Sequence, residues 1–237
     1  MKVVVTDIEG TTSAIAFVRD VLFPYARRRL PDFVRAGADR PDIAALLDET
    51  RALAGAHELD IEGVIQVLVA WIDQDRKAPP LKELQGMLWA EGYAAGDYRA
   101  HVYPDAAAAL RRWRAMGIAL YVFSSGSVAA QRLLFAHSEA GDLTPVFSGY
   151  FDTRIGPKRE AASYVAIARQ VLPQGGELVF LSDTVEELDA AAAAGLGTVL
   201  VCRGARPPPA RHRVVESFDQ IDALLGEDSA PAAPLGR

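Results

Sequence analysis

Apolar residues in this chain are grouped in two ways, and the switch between them divides it. Val3, Val4 and Val5 form an unbroken β-branched run that leads into Asp7. Such a run suits a strand covered on both faces, as in a parallel sheet. Similar runs recur at Ile118–Phe123 before Ser124, at Leu178–Leu181 before Ser182 and Asp183, and at Thr198–Cys202 before Arg203. Helical stretches are predicted at Asp105–Met116, Ser127–Ala136, Lys158–Leu172, Val185–Ala194 and Phe218–Leu225. Gly117 and Gly195 fall where C-cap glycines belong. Strands alternating with helices predict an α/β fold built on a doubly wound parallel sheet.

From about Ala16 to Asp97 the apolar period changes to 3.6 and no strand is predicted. Asp42–Leu53, Ile61–Asp75 and Leu81–Gly92 read as helices, while Pro24 and Pro31 are expected to interrupt an earlier one. Pro79-Pro80 separates two of the later helices. So long a helical block exceeds a single crossover, and it predicts an all-helical cap domain at 16–97, inserted into a catalytic α/β core formed by 1–15 and 98–225. The cap is expected to be mobile and to close over the site. The stretch GEDSAPAAPLGR, 226–237, has the composition of a disordered tail.

Composition changes this picture little. The 237 residues carry a formal net charge of -6, which disfavours nucleic acid but not a small anionic substrate held by a local cation. A single cysteine, Cys202, excludes an internal disulfide and suits a reducing compartment. The amino-terminal apolar run is too short for a signal peptide, and no stretch approaches a membrane span. The expectation is a cytoplasmic, monomeric enzyme with a small-molecule phosphorylated substrate and neither nucleic-acid nor membrane partners.

The chemistry gathers where the strands end. Ligands of an open parallel sheet bind at the carboxyl edge of its strands. The predicted strands deliver Asp7, Glu9, Ser124, Ser125 and Asp183 there, and Lys158 lies a few residues past Phe147–Thr153 (FSGYFDT). Carboxylates are hard ligands for Mg2+, which also takes a phosphate oxygen of the substrate. Lysine supplies a point charge, and serine hydroxyls donate to phosphoryl oxygens. In the extended segment Asp7-Ile8-Glu9 both acids point the same way. Asp7 can then attack phosphorus while Glu9 protonates the leaving oxygen and later activates water.

The DIEGTT segment at 7–12 resembles the first motif of the haloacid dehalogenase-like superfamily, of general form DxDxT, with Glu9 in place of its second aspartate. Ser124 resembles the second motif, Lys158 the third and Asp183 the fourth. Longer segments are similar to those of the enolase-phosphatases of methionine salvage: DVLFPYARRRLPDFV (20–34), LQGMLWAEGY (84–93), HVYPD (101–105), FSSGS (123–127), FDTRIGPK (151–158) and LSDTVEELDAA (181–191). The resemblance covers 1 to about 202 and implies a Rossmann-type core with a helical cap. It implies a substrate, 2,3-diketo-5-methylthiopentyl 1-phosphate, that is enolised and then dephosphorylated to an acireductone. It also implies metal ligation by Asp7, Glu9 and Asp183, with Glu9 acting through its side chain or its main chain, and substrate binding by Ser124, Ser125 and Lys158.

Blander assignments stand beside these. Ser127 caps the helix after it, and Glu186, Glu187 and Asp189 are first-turn acids favoured by the helix dipole, with Glu187 within reach of a metal-bound water. His57, His101, His137 and His212 lack metal-ligand spacing. Trp71 and Trp89 belong to the cap core, Arg27-Arg28-Arg29 to a solvated face, and Arg206, Arg211 and Arg213 to an exposed loop. The alternatives are a related phosphatase for another small sugar phosphate, a dehalogenase, which Glu9 disfavours, and a non-enzymatic phosphopeptide-binding module.

Overall fold

The computed structural model describes residues 2–172, 176–204 and 211–226. Among these residues six strands form one parallel sheet: β1 (Lys2–Thr6), β2 (Ala119–Phe123), β3 (Gly149–Phe151), β4 (Glu177–Ser182), β5 (Gly197–Val201) and β6 (Arg213–Val215). Their order across the sheet is β3-β2-β1-β4-β5-β6. The chain builds outward from β1 on one side and then resumes on the other, so a topological switch point lies between β1 and β4. A crevice opens at the carboxyl ends of strands flanking such a point. Register aligns Val3, Val4 and Val5 with Ala119, Leu120 and Tyr121 on one side and with Leu178, Val179 and Phe180 on the other.

The valine run is buried because helices cover the central strand. Val3, Val5, Phe123 and Phe180 pack with Tyr164 and Ile167 of helix Ala161–Val171 and with Leu188 of helix Val185–Ala193. Helix Pro104–Ala115 packs on β2 and on the 3-10 turn Phe218–Gln220, where Trp113 stacks on Phe218. These elements belong to the described part of a unit comprising Met1–Ser13, Val102–Ser125 and Leu143–Arg237.

A second unit, all-helical, comprises Ala14–His101 and Gly126–Asp142. Its first segment is inserted into the chain after β1 and its second after β2. Helices Phe23–Gly37, Pro41–Ala54, Ile61–Asp73 and Pro79–Ala95 enclose a core that includes Leu30, Val34, Ile43, Leu68 and Leu84, each with no exposed surface. Asp60 caps the third of these by accepting from the Gly63 N–H at 2.8 Å. Helix Val128–Ala136, expected in the α/β core, packs instead on helix Pro79–Ala95, where Tyr93 stacks on His137. The packing boundaries therefore differ from 16–97.

Three local expectations are corrected. Pro31 lies inside a continuous helix, because Leu30 and Val34 bury the inner face and offset the lost backbone hydrogen bond. Pro24 sits in the first turn of that helix, after the π-helical turn Val18–Leu22, where its missing donor costs little. Arg213 belongs to strand β6 rather than to a loop, with Val215 buried and Val214 and Arg213 exposed. Arg206 and residues 227–237 of the tail lie outside the described residues. No described helix is long and apolar enough to cross a membrane.

Candidate active site

β1, β2 and β4 are neighbours, and their carboxyl ends deliver Asp7, Ser124 and Asp183 to one edge. Asp7 extends the ladder by one bond, its N–H donating to the Leu181 carbonyl at 2.9 Å. That bond fixes the backbone from which the carboxylate projects. Ser124 donates its N–H to the Phe151 carbonyl at 3.2 Å and is buried, whereas Ser125, one residue on, is exposed. Ser127 accepts from the Ala130 N–H and caps the helix that follows.

Beyond Asp7 the chain turns sharply. The Ile8 carbonyl accepts from the N–H groups of Thr11, Thr12 and Ser13, and the Gly10 N–H donates to the Ser13 carbonyl at 2.8 Å. Thr12 Oγ1 donates to the Asp7 and Ile8 carbonyls. Gly10 has φ of 75°, and a Cβ there would collide with Asp183 Oδ2. Glycine is required at this position on both counts. The Asp183 carboxylate thus lies directly against the turn that carries Glu9, and its own Oδ1 accepts from Thr184 Oγ1 at 3.1 Å.

Lys158 supplies the cation. It lies three residues before helix Ala161–Val171 rather than within it, and Tyr164 Oη holds its carbonyl at 2.6 Å. Its Nζ reaches Asp7 Oδ1 at 2.7 Å and Glu187 Oε2 at 2.6 Å. The side chains of Lys158, Asp7 and Glu187 are only 10%, 7% and 12% exposed. Burial works against the ammonium, yet Asp7 and Glu187 outweigh it and raise its pKa above the usual lysine value.

Glu187 is the residue that the sequence reading underrated. It lies in the first turn of helix Val185–Ala193, four residues past Asp183, which precedes the helix cap at Thr184. It is no solvated first-turn acid: besides Lys158 it accepts from Ser182 Oγ at 3.0 Å. Ser182 Oγ in turn accepts from the Thr184 N–H, which ties the end of β4 to the helix start.

Lys158 thus pairs with two acids, Asp7 and Glu187, while the half-buried Asp183 stands beside them at the same edge. Burial first, and the Asp7 charge second, push the carboxyls of Asp183 and Glu187 above the usual carboxylate range. This surplus of negative charge fits a cation. No set of three or more His, Cys, Asp or Glu side chains is gathered as a metal cage among the described residues. Asp7 interacts electrostatically with Asp183 as it does with Glu187, and two carboxylates suffice for a hard divalent cation that keeps waters and takes a phosphate oxygen. Glu9 is half-buried in the turn, paired through its backbone with Ser13.

The histidines do other work. His101 Nδ1 accepts from the Ala14 N–H, and His212 lies between Thr198 Oγ1 and Asp189 Oδ1.

Comparison with known proteins places this arrangement in a family. A model of haloacid dehalogenase-like hydrolases matches residues 1–195. The chain is 58% identical over 221 residues to enolase-phosphatase E1 of Pseudomonas aeruginosa (strain UCBPP-PA14), covering 93% of this chain and 98% of that one. It is 55% identical over 222 residues to enolase-phosphatase E1 of Azotobacter vinelandii, covering 94% and 97%. The crystal structure of the UTR4 protein of Saccharomyces cerevisiae is similar with a TM-score of 0.79 and 34% identity, covering 92% of this chain and 98% of that one. By fold, near-complete alignment and level of identity, the chain belongs to the haloacid dehalogenase-like hydrolases and, within them, to the enolase-phosphatase E1 family.

Proposed function

We propose that this protein is a bifunctional enolase-phosphatase of methionine salvage. It converts 2,3-diketo-5-methylthiopentyl 1-phosphate to the acireductone 1,2-dihydroxy-3-keto-5-methylthiopentene and phosphate. The observation that carries the phosphatase half is the buried Asp7 carboxylate, held by Lys158 beside Asp183 at the sheet edge. The substrate is inferred from near-full-length identity to proteins named enolase-phosphatase E1.

In this reading a carboxylate oxygen of Asp7 attacks phosphorus, and the bond from phosphorus to the C1 oxygen breaks. Glu9 gives a proton to the departing oxygen. Water, deprotonated by Glu9, then cleaves the aspartyl-phosphate and restores Asp7. Lys158 holds Asp7 in place and offsets charge on the phosphoryl oxygens, while Ser124 and Ser125 donate to them. Asp7, Asp183 and the main chain at Glu9 would hold Mg2+, which supplies Lewis-acid polarisation of the substrate oxygens when bound. The helical unit serves as the cap that selects the carbon skeleton. The protein acts as a cytoplasmic monomer, with no nucleic-acid or membrane partner.

The test is to incubate the purified protein with the diketo phosphate and Mg2+, following enol absorbance and free phosphate separately. Enol formation followed by phosphate release is the expected result. Equal turnover of simple sugar phosphates, with no enol at any time, would leave a phosphatase for another sugar phosphate.

A further inference from the structure

Arg203 follows β5, in a segment to which the family resemblance assigns no role, yet it is built into the edge that carries the acids. Its Nε and Nη2 donate to the Thr11 carbonyl at 3.2 and 3.0 Å. Its Nη1 pairs with Asp105 Oδ2 at 2.6 Å, and the two side chains are 12% and 18% exposed. The guanidinium carbon lies 4.1 Å from the centre of the Tyr103 ring and 5.2 Å from that of Phe218. Asp105 Oδ2 also accepts from the Phe218 N–H at 2.8 Å, so the carboxylate that orients the arginine is itself fixed.

The point of attachment gives this clamp its meaning. Thr11 is two residues from Glu9 and one from Gly10, whose α-carbon lies against Asp183. The hydroxyls of Thr11 and Ser13 are buried without a hydrogen-bond partner, so they do not tether the turn. It is tethered through carbonyls instead: Thr12 O accepts from the Tyr103 N–H at 2.9 Å, and Thr11 O from Arg203. A slip of the turn would shift Glu9 and press Gly10 against Asp183. Misplacement by about 1 Å can cost on the order of 100-fold in rate.

We propose that Arg203 is a positioning residue for phosphoryl transfer, clamping the Thr11 carbonyl so that Glu9 and the Asp7–Asp183 pair keep their working geometry. The proposal rests on Asp7 as nucleophile and Glu9 as acid and base, whatever the identity of the ester. A guanidinium fork is needed for it: lysine at this position keeps a charge for Asp105 but offers one point donor instead of two parallel ones.

The experiment measures kcat and KM for phosphate release, together with the melting temperature, in Arg203→Lys, Arg203→Met, Asp105→Asn and, in parallel, Asp7→Asn. Expected are kcat losses of about 10- to 100-fold in both Arg203 variants, with KM changed less than about threefold. Asp105→Asn, which leaves the fork in place, loses less. Arg203→Lys melts close to wild type although its kcat is low, which separates positioning from stability. The proposal is overturned if kcat per folded molecule matches wild type in Arg203→Lys and Arg203→Met while melting temperature alone falls. It is also overturned if KM rises at constant kcat. Phosphate release by Asp7→Asn at the wild-type rate would sink the reading of Asp7 instead, irrespective of what the Arg203 variants do.

Discussion

The two units of this protein treat charge in opposite ways. In the helical unit the ion pairs of Arg27 with Asp73, Arg35 with Glu62 and Arg40 with Asp42 all lie at the surface, where each partner is about half exposed. Its buried polar side chains, Thr50, Gln85, Gln131 and Ser138, are all uncharged. In the sheet unit two clusters are withdrawn from water: Lys158 with Asp7 and Glu187, and Arg203 with Asp105. Burying charges costs several kcal/mol per ion, and a pair offsets that only with good geometry. Surface pairs contribute little. Stability alone gives no reason to prefer the costlier arrangement, and its place at the sheet edge ties it to chemistry.

The sharpest way to break this contrast is at Asp7. Asp7→Asn keeps the shape and the bond to Leu181 but removes nucleophilicity, so phosphate release should fall by several orders of magnitude while circular dichroism is unchanged. Substantial turnover by this variant would detach the buried cluster from catalysis.

Next comes Lys158→Met, which leaves Asp7 and Glu187 without their shared cation. In metal-free protein it should destabilise the fold by about 3–5 kcal/mol, the usual loss when one partner of a buried pair is removed. Denaturant titration measures it, and a loss no larger than that of a surface pair would show the cluster to be well solvated.

Asp105 gives a pH signature. Burial raises its carboxyl, but the Phe218 N–H and Arg203 outweigh burial and hold it below the usual carboxylate range. A depressed pKa contributes stability above the unfolded-state value, and that stability is lost as pH falls through the folded-state value. Between those two values the unfolding free energy of Asp105→Asn should decline less steeply than that of wild type. Parallel curves would mean that the pair with Arg203 forms no linkage.

The smallest effect belongs to the helical unit. Arg35→Ala breaks pairs with both Glu62 and Asp32, yet its melting temperature should match wild type within error. A clear drop would erase the distinction between the two units.

The same contrast explains what was legible in the sequence. Asp7, Ser124 and Asp183 could be found because each follows an apolar run, and parallel topology sends all such ends to one edge. Lys158 carried no local signal and was recognised by its place between motifs. Glu187 was hidden because a helix-start acid looks alike whether it faces water or Lys158, and only the fold decides. Arg203 was hidden for a related reason: its partners at Thr11 and Asp105 are 192 and 98 residues away. β6 was missed because three residues cannot show a period, and Arg213 in it reads as loop.

The most direct test of the central claim is chemical trapping of the intermediate. Protein quenched during turnover is treated with tritiated borohydride, which reduces an acyl phosphate to homoserine, and the labelled residue is located by peptide mapping. The account predicts label at Asp7, and none in Asp7→Asn. Label at another acid, or full phosphate release with no label at any time, would contradict it.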